Sequence, residues 1–214
     1  MPPSAAHTAR VRAEIFGHAA RLFRLRGYTG TNIDDIMLAA GLTRGSFYAH
    51  FKSKEELFAE VVRSGQGLLG RLRAADAKVL AVLDAYLAKE DLVATAQACT
   101  LAALPGDVAR AALPAQLAYA NVLHAVIGEM ARGRRRKLDA DATAAAILAI
   151  GVVSLARACG DRRLSDWLLR CAGIAAKKLL KPRASPSPKR SRSRRKAAGA
   201  RRPKRAARSR GGRA

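Results

Sequence analysis

Apolar residues recur at helical spacing along most of this chain. Val11, Ile15, Ala19, Leu22 and Phe23 form one stripe that ends at Gly27. After a YTG turn, Thr31 or Asn32 can cap a second, short helix that turns Ile33, Ile36, Met37 and Ala40 inward, with Asp34 and Asp35 in its first turn, where the helix dipole favours acids. Gly41 stops that helix, Leu42 fills the bend and Thr43 caps a third. Ser53, Lys54, Glu55 and Glu56 read as a capping box opening a fourth helix through Leu57, Phe58, Val61 and Val62, the start of a long one. Beyond about residue 64 the pattern predicts longer Ala- and Leu-rich helices near 76 to 89, 106 to 112, 115 to 136, 141 to 159 and 164 to 180. An all-α protein follows.

Two short helices joined by a tight turn at Gly41 make a helix-turn-helix, a motif that places its second helix in the DNA major groove. Phe47 and Phe51 hold that helix to a small core, while Arg44, Ser46, Tyr48 and Ala49 lie on its other sides. Gly45 lets the backbone approach a duplex closely. The free amides near Thr43, and those after Ser53 with Lys54, read as two anion sites suited to phosphates.

From Arg12 to Leu57, with HAARLFRLRGYTGTNIDDIMLAAGLTRGSFYAHFKSKEEL at its centre, the chain resembles the N-terminal domain of TetR/AcrR-type transcriptional regulators. The ordered positions Ala20, Phe23, Gly27, Ile36, Ala40, Gly41, Gly45, Tyr48, His50, Phe51, Lys54 and Glu55 carry the likeness. It implies an all-α homodimer with a three-helix DNA-binding head, 8 to 58, and a helical ligand-binding and dimerisation body, 59 to 181. It further implies that Arg44, Gly45, Ser46 and Ala49 face base edges. Thr31, Asn32, Thr43, Tyr48, His50 and Lys54 are implied to meet phosphates. Asn32 stands where the family often has Thr, and Ala49 is small, so the base code does not transfer from a relative.

Charge adds a third region. The chain of 214 residues carries a formal charge of +24, and fifteen of its Lys and Arg, with no acid among them, lie from Lys181 onward. Residues 182 to 214 mix these charges with Pro, Ser, Gly and Ala and read as a disordered basic arm. Such an arm adds sequence-independent, salt-sensitive DNA affinity.

The body offers fewer signals. All five Phe lie within the first 58 residues; later aromatics are Tyr86, Tyr119 and Trp167. The segment QACTLAALPGDVAR resembles a Cys-containing stretch of some family members, so Cys99 stands as a ligand-lining or sensing thiol, with a small buried hydrophobe as the alternative. Tyr86, Gln97, Tyr119, Asn121 and His124 complete the candidate effector-binding set. Ile147, Ile150, Leu164, Trp167, Leu168 and Cys171 are expected at a four-helix dimer interface. No metal or cofactor is expected, since the three cysteines form no CxxC pair and the four histidines are scattered. Neither a catalytic constellation nor a membrane span is read, which leaves a cytoplasmic, nucleoid-associated protein. The expected function is a repressor that binds a palindromic operator in double-stranded DNA as a homodimer and is released by a small-molecule effector. The alternative is an architectural DNA-binding protein without a ligand.

Overall fold

The computed structural model describes residues 4 to 74, 78 to 88, 99 to 133 and 139 to 181; Gln97 and the basic arm lie outside the described residues. Every described element is helical: α1 Ala5–Arg26, α2 Ile33–Ala39, α3 Arg44–Phe47, α4 Lys54–Arg63, α5 Leu68–Arg73, α6 Val79–Tyr86, α7 Thr100–Ala103, α8 Pro105–Arg110, α9 Leu113–Met130, α10 Ala140–Ala158 and α11 Arg162–Leu180. The described residues, all of which lie before Pro182, belong to one compact unit.

The first unit holds two apolar cores. One gathers Ile15, Ala19, Phe23, Ile36, Met37, Phe47, Phe51, Leu57, Phe58 and Val61 from α1 to α4. It does not stop at the head, because Leu104 and Val108, together with Ala115 and Ala118 of α9, belong to the same cluster. The other is built from leucines of α5 and α6 and the alanine faces of α10 and α11, which pack along each other. α10 is long and apolar enough to cross a membrane, but Ala142, Ala145, Ala146 and Ala149 of its inner face are fully buried here. Alanine lets these two helices approach closely, and buried Ser165 of α11 donates from Oγ to the Ala156 carbonyl at 3.0 Å to tie the pair.

The sequence expects α4 to be long, yet it ends at Arg63. Gly65 and Gly67 both take positive φ, 61° and 103°, and bend the chain into α5, a helix the apolar pattern does not separate. Gly67 is also forced by space: a Cβ there would stand 2.4 Å from the Cys99 Cα and 3.1 Å from its Sγ. The bend is thus closed by α7, which is also missing from the expected set. This one-turn helix is held by hydroxyls from both sides, Tyr119 donating to the Leu101 carbonyl at 2.8 Å and Ser154 to the Ala102 carbonyl at 2.8 Å.

Replacing Gly67 by Ala is therefore expected to destabilise the protein by about 2 kcal/mol or more, strain and overlap acting together. Urea unfolding reads the change; a Gly67→Ala variant as stable as the parent would show that the bend relaxes freely.

Candidate nucleic-acid interface

The reading surface is built from behind. Phe47 and Phe51 are buried against α1 and α4, their rings 5.7 Å apart, with the Arg12 guanidinium 4.4 Å over Phe51. Arg12 in turn bonds Glu60 of α4 at 2.6 Å. Leu42 N–H returns to the Met37 carbonyl at 2.9 Å across the Gly41 turn, whose φ of 68° suits glycine. α3 itself is a single helical turn that continues as tighter turns, with Ala49 N–H on Ser46, and His50 and Phe51 N–H on Phe47. This exposes Arg44, Gly45, Tyr48 and Ala49 together on one side, with Ser46 half-buried beside them. A Cβ on Gly45 would meet nothing within 4 Å, so neither crowding nor backbone conformation requires glycine there.

The remaining candidates separate. Asn32 is exposed and caps α2, accepting the Asp35 N–H at 2.7 Å. Thr31 is fully buried and its hydroxyl donates to the Gly27 carbonyl at 2.9 Å, so that side chain builds the turn and cannot reach a phosphate. The Thr43 hydroxyl pairs with Ser46 Oγ at 3.1 Å and caps no amide. His50 is half-buried, with a buried Nδ1 that has no hydrogen-bond partner. Lys54 turns inward: its Nζ donates to the carbonyls of Tyr28 and Thr31, at 3.1 and 3.0 Å, and lies 4.1 Å over the Tyr28 ring.

The expected anion site at the start of α4 is filled from within the chain. Ser53 takes the Glu56 N–H at 3.1 Å, Glu56 takes the Lys52 N–H at 2.5 Å, and Glu55 accepts from the Tyr28 hydroxyl at 2.7 Å. Two carboxylates thus occupy the positive end of the helix. Lys52, in the KSK run, is exposed and follows Phe51 directly. The Tyr28 bond holds the Glu55 carboxyl below the usual carboxylate range, while burial and that same bond push the Tyr28 phenol up.

Residues 15 to 61 match the family model for bacterial regulatory proteins of the tetR family. This chain carries the TetR-family helix-turn-helix domain. The transcriptional regulator AcrR of Shigella flexneri is 41% identical over 61 residues, 28% of either chain. The transcriptional repressor KstR2 of Mycolicibacterium smegmatis is 42% identical over 62 residues, 29% of this chain and 30% of that one. The match thus spans under a third of these relatives' length. Over the whole fold, a TetR-family regulator from Cytophaga hutchinsonii superposes with a TM-score of 0.63 at 19% identity, covering 82% of this chain and 98% of that one. The body of this chain is therefore TetR-like in architecture with little sequence in common.

Besides the shared apolar core, head and body meet in a polar contact at the Tyr28 turn. Asp107 of α8 accepts the Tyr28 N–H at 3.1 Å, and a Cβ on Gly27 would stand 3.2 Å from the same carboxylate. Asp107→Ala strands that donor, and a charge-assisted bond of this kind contributes about 1 to 2 kcal/mol. A lower melting temperature with the helical signal retained is expected; no change would mean that the contact is dispensable.

Proposed function

We propose that this TetR-family chain is a transcriptional repressor, binding a palindromic operator as a homodimer and leaving it when a small molecule enters the body. The observation that carries the DNA reading is the outward set Arg44, Gly45, Ser46, Tyr48 and Ala49, mounted on a turn whose inner side is sealed by Phe47 and Phe51. Arg44 rests against Asp34 at 2.6 Å, with both side chains more than half exposed, so this pair is cheaply exchanged for a base. Tyr48, 57% exposed, and the exposed Lys52 are the phosphate contacts supported by this geometry.

The dimer reading rests on apolar surface. Ile147 and Leu155 of α10 and Leu164, Trp167 and Ile174 of α11 are exposed, Trp167 by 58% and Ile174 by 69%. Large apolar side chains clustered on adjacent helices mark an interaction surface. Leu168 is half-buried beside them and Cys171 is exposed; Ile150, expected in the same interface, packs inside its own subunit.

Support for an effector comes from the body's interior. Tyr86 and Cys99 are buried and Tyr119 is half-buried, whereas Asn121 and His124 face outward on α9 and lose their place in the set. From Cys99 the chain runs through α7 and α8 to Asp107, which holds the Tyr28 turn of the head. Shifting α7 therefore moves a group bonded to the domain that binds DNA, the kind of packed connection through which two sites couple.

Selection of bound fragments from random DNA, by protein lacking residues 182 to 214, tests the reading. A two-fold symmetric sequence should emerge, and Arg44→Ala should lose about 1 to 3 kcal/mol of preference for it. Failure to select any sequence would leave the architectural reading in its place. The full chain should bind the same site with a steeper salt dependence, since the arm adds phosphate contacts; equal slopes would remove the arm from DNA binding. Trp167→Asp should yield a monomer by sedimentation, and a variant still dimeric would move the interface elsewhere.

A further inference from the structure

α3 is a single turn, too short to fix its own direction by backbone bonding. Its orientation depends on the side chains behind it. Phe51 is only 2% exposed, and the His50 and Phe51 N–H groups both return to the Phe47 carbonyl, at 2.9 and 3.0 Å. A shift of the Phe51 ring is therefore passed straight to the turn. The Phe47 ring carries it outward, standing 5.7 Å from the Phe51 ring and edge-on to the exposed Tyr48 ring at 5.3 Å.

Phe51 is held from the α1 side by a cation. The Arg12 guanidinium carbon lies 4.4 Å from the ring centroid, within the roughly 6 Å reach of cation–π attraction. Its Nη2 donates to Glu60 Oε1 at 2.6 Å and so ties the same group to α4. A planar guanidinium can lay its face on a ring while its edge meets a carboxylate; the compact ammonium of a lysine cannot do both. Side-chain exposures of 43% for Arg12 and 24% for Glu60 keep the pair's share of global stability small. Neither residue belongs to the outward set, yet together they grip the ring beneath it.

We propose that Arg12 and Glu60 are positioning residues for DNA reading: the pair clamps Phe51 and so sets the direction in which α3 presents Arg44 and Tyr48. This inference rests on the reading of that turn as the DNA-contacting one, and it gives an acid a part in DNA binding. Charge alone gives Glu60 the opposite sign. A carboxylate in a DNA-binding head repels phosphates, so by electrostatics its removal should tighten binding. As half of a clamp, its removal should weaken binding instead, because α3 then spends its time over a wider range of directions.

Hydrogen–deuterium exchange of the full chain, followed by mass spectrometry, reads the clamp without DNA. The amides of Ala49, His50 and Phe51 should exchange roughly three- to tenfold faster in Arg12→Met, which keeps an apolar stem over the ring, and in Glu60→Ala. Those of α10 should exchange as in the parent. The double variant should be no faster than the faster single, since the two residues act as one unit. In the same variants the fragment selected from random DNA should bind at least threefold more weakly. Tighter binding by Glu60→Ala would mean that Arg12, once freed, meets a phosphate itself, and overturns the proposal. Unchanged exchange at the turn does so too, as does equal acceleration in α10. Faster exchange with parental affinity also overturns it, leaving the pair a brace of the core only. Because exchange needs no DNA, failure to select any fragment sinks the repressor reading alone, and an unaltered turn sinks this one alone.

Discussion

Head and body are joined through the backbone of Tyr28, and most of what the molecule can do depends on that joint. Its N–H is held by Asp107 from the body, its carbonyl by Lys54 and its hydroxyl by Glu55, both of α4. Its ring packs against Phe23 and Phe58, with centroids 6.0 and 4.8 Å away. Gly27 just before it has a φ of 74°, which ends α1 sharply enough to bring these partners together. Any motion of α8 relative to α1 must stretch a charged hydrogen bond or carry the turn along. If the body responds to an effector as proposed, a two-position response would be favoured over continuous bending, since packed interiors resist small deformations.

α4 adds a second constraint. Leu57, Phe58, Val61 and Val62 are all essentially buried, and α9 packs along the helix. The head core therefore includes residues of α8 and α9, so a boundary drawn at residue 58 cuts through one apolar cluster rather than between two. A signal arising near α7 need not cross a flexible linker. Val108 and Ala115 already belong to the head's apolar cluster.

How much of this was written in the sequence depends on the range of the interactions. Local rules placed the Gly27 end of α1, α2 with Thr31 or Asn32 as its cap, the Gly41 turn, and the burial of Phe47 and Phe51, because capping, periodicity and glycine conformation are decided within a few residues. They placed α10 and α11 to within two residues, since long apolar stripes average over noise. They missed the break after α4 because Gly67 is dictated by Cys99, which lies far along the chain. They also gave Thr31 and Lys54 to DNA when both side chains are turned toward carbonyls of the Tyr28 turn. A polar residue at a helix end satisfies backbone or phosphate equally well by its chemistry. Only the fold shows which one is within reach. Likewise, Ile150 and Ile147 are three apart on one apolar helix, and nothing local tells which faces its own subunit.

Under the proposed DNA reading, the contact between Arg44 and Asp34 bears on how so small a surface would discriminate. An exposed ion pair contributes about 0.2 to 1 kcal/mol, whereas a bidentate arginine–guanine contact contributes about 1 to 3 kcal/mol. On the proposed reading, a guanine at the matching position would draw Arg44 away from Asp34, whereas at a wrong base Arg44 would keep its carboxylate partner. Asp34 would then limit what Arg44 gains from nonspecific DNA while costing little at the right sequence. With Ala49 too small to reach a base by hydrogen bonding, this exchange would be the main source of direct readout under that proposal, and general affinity would come from cations that carry no sequence information, Lys52 and the fifteen basic residues from Lys181 onward.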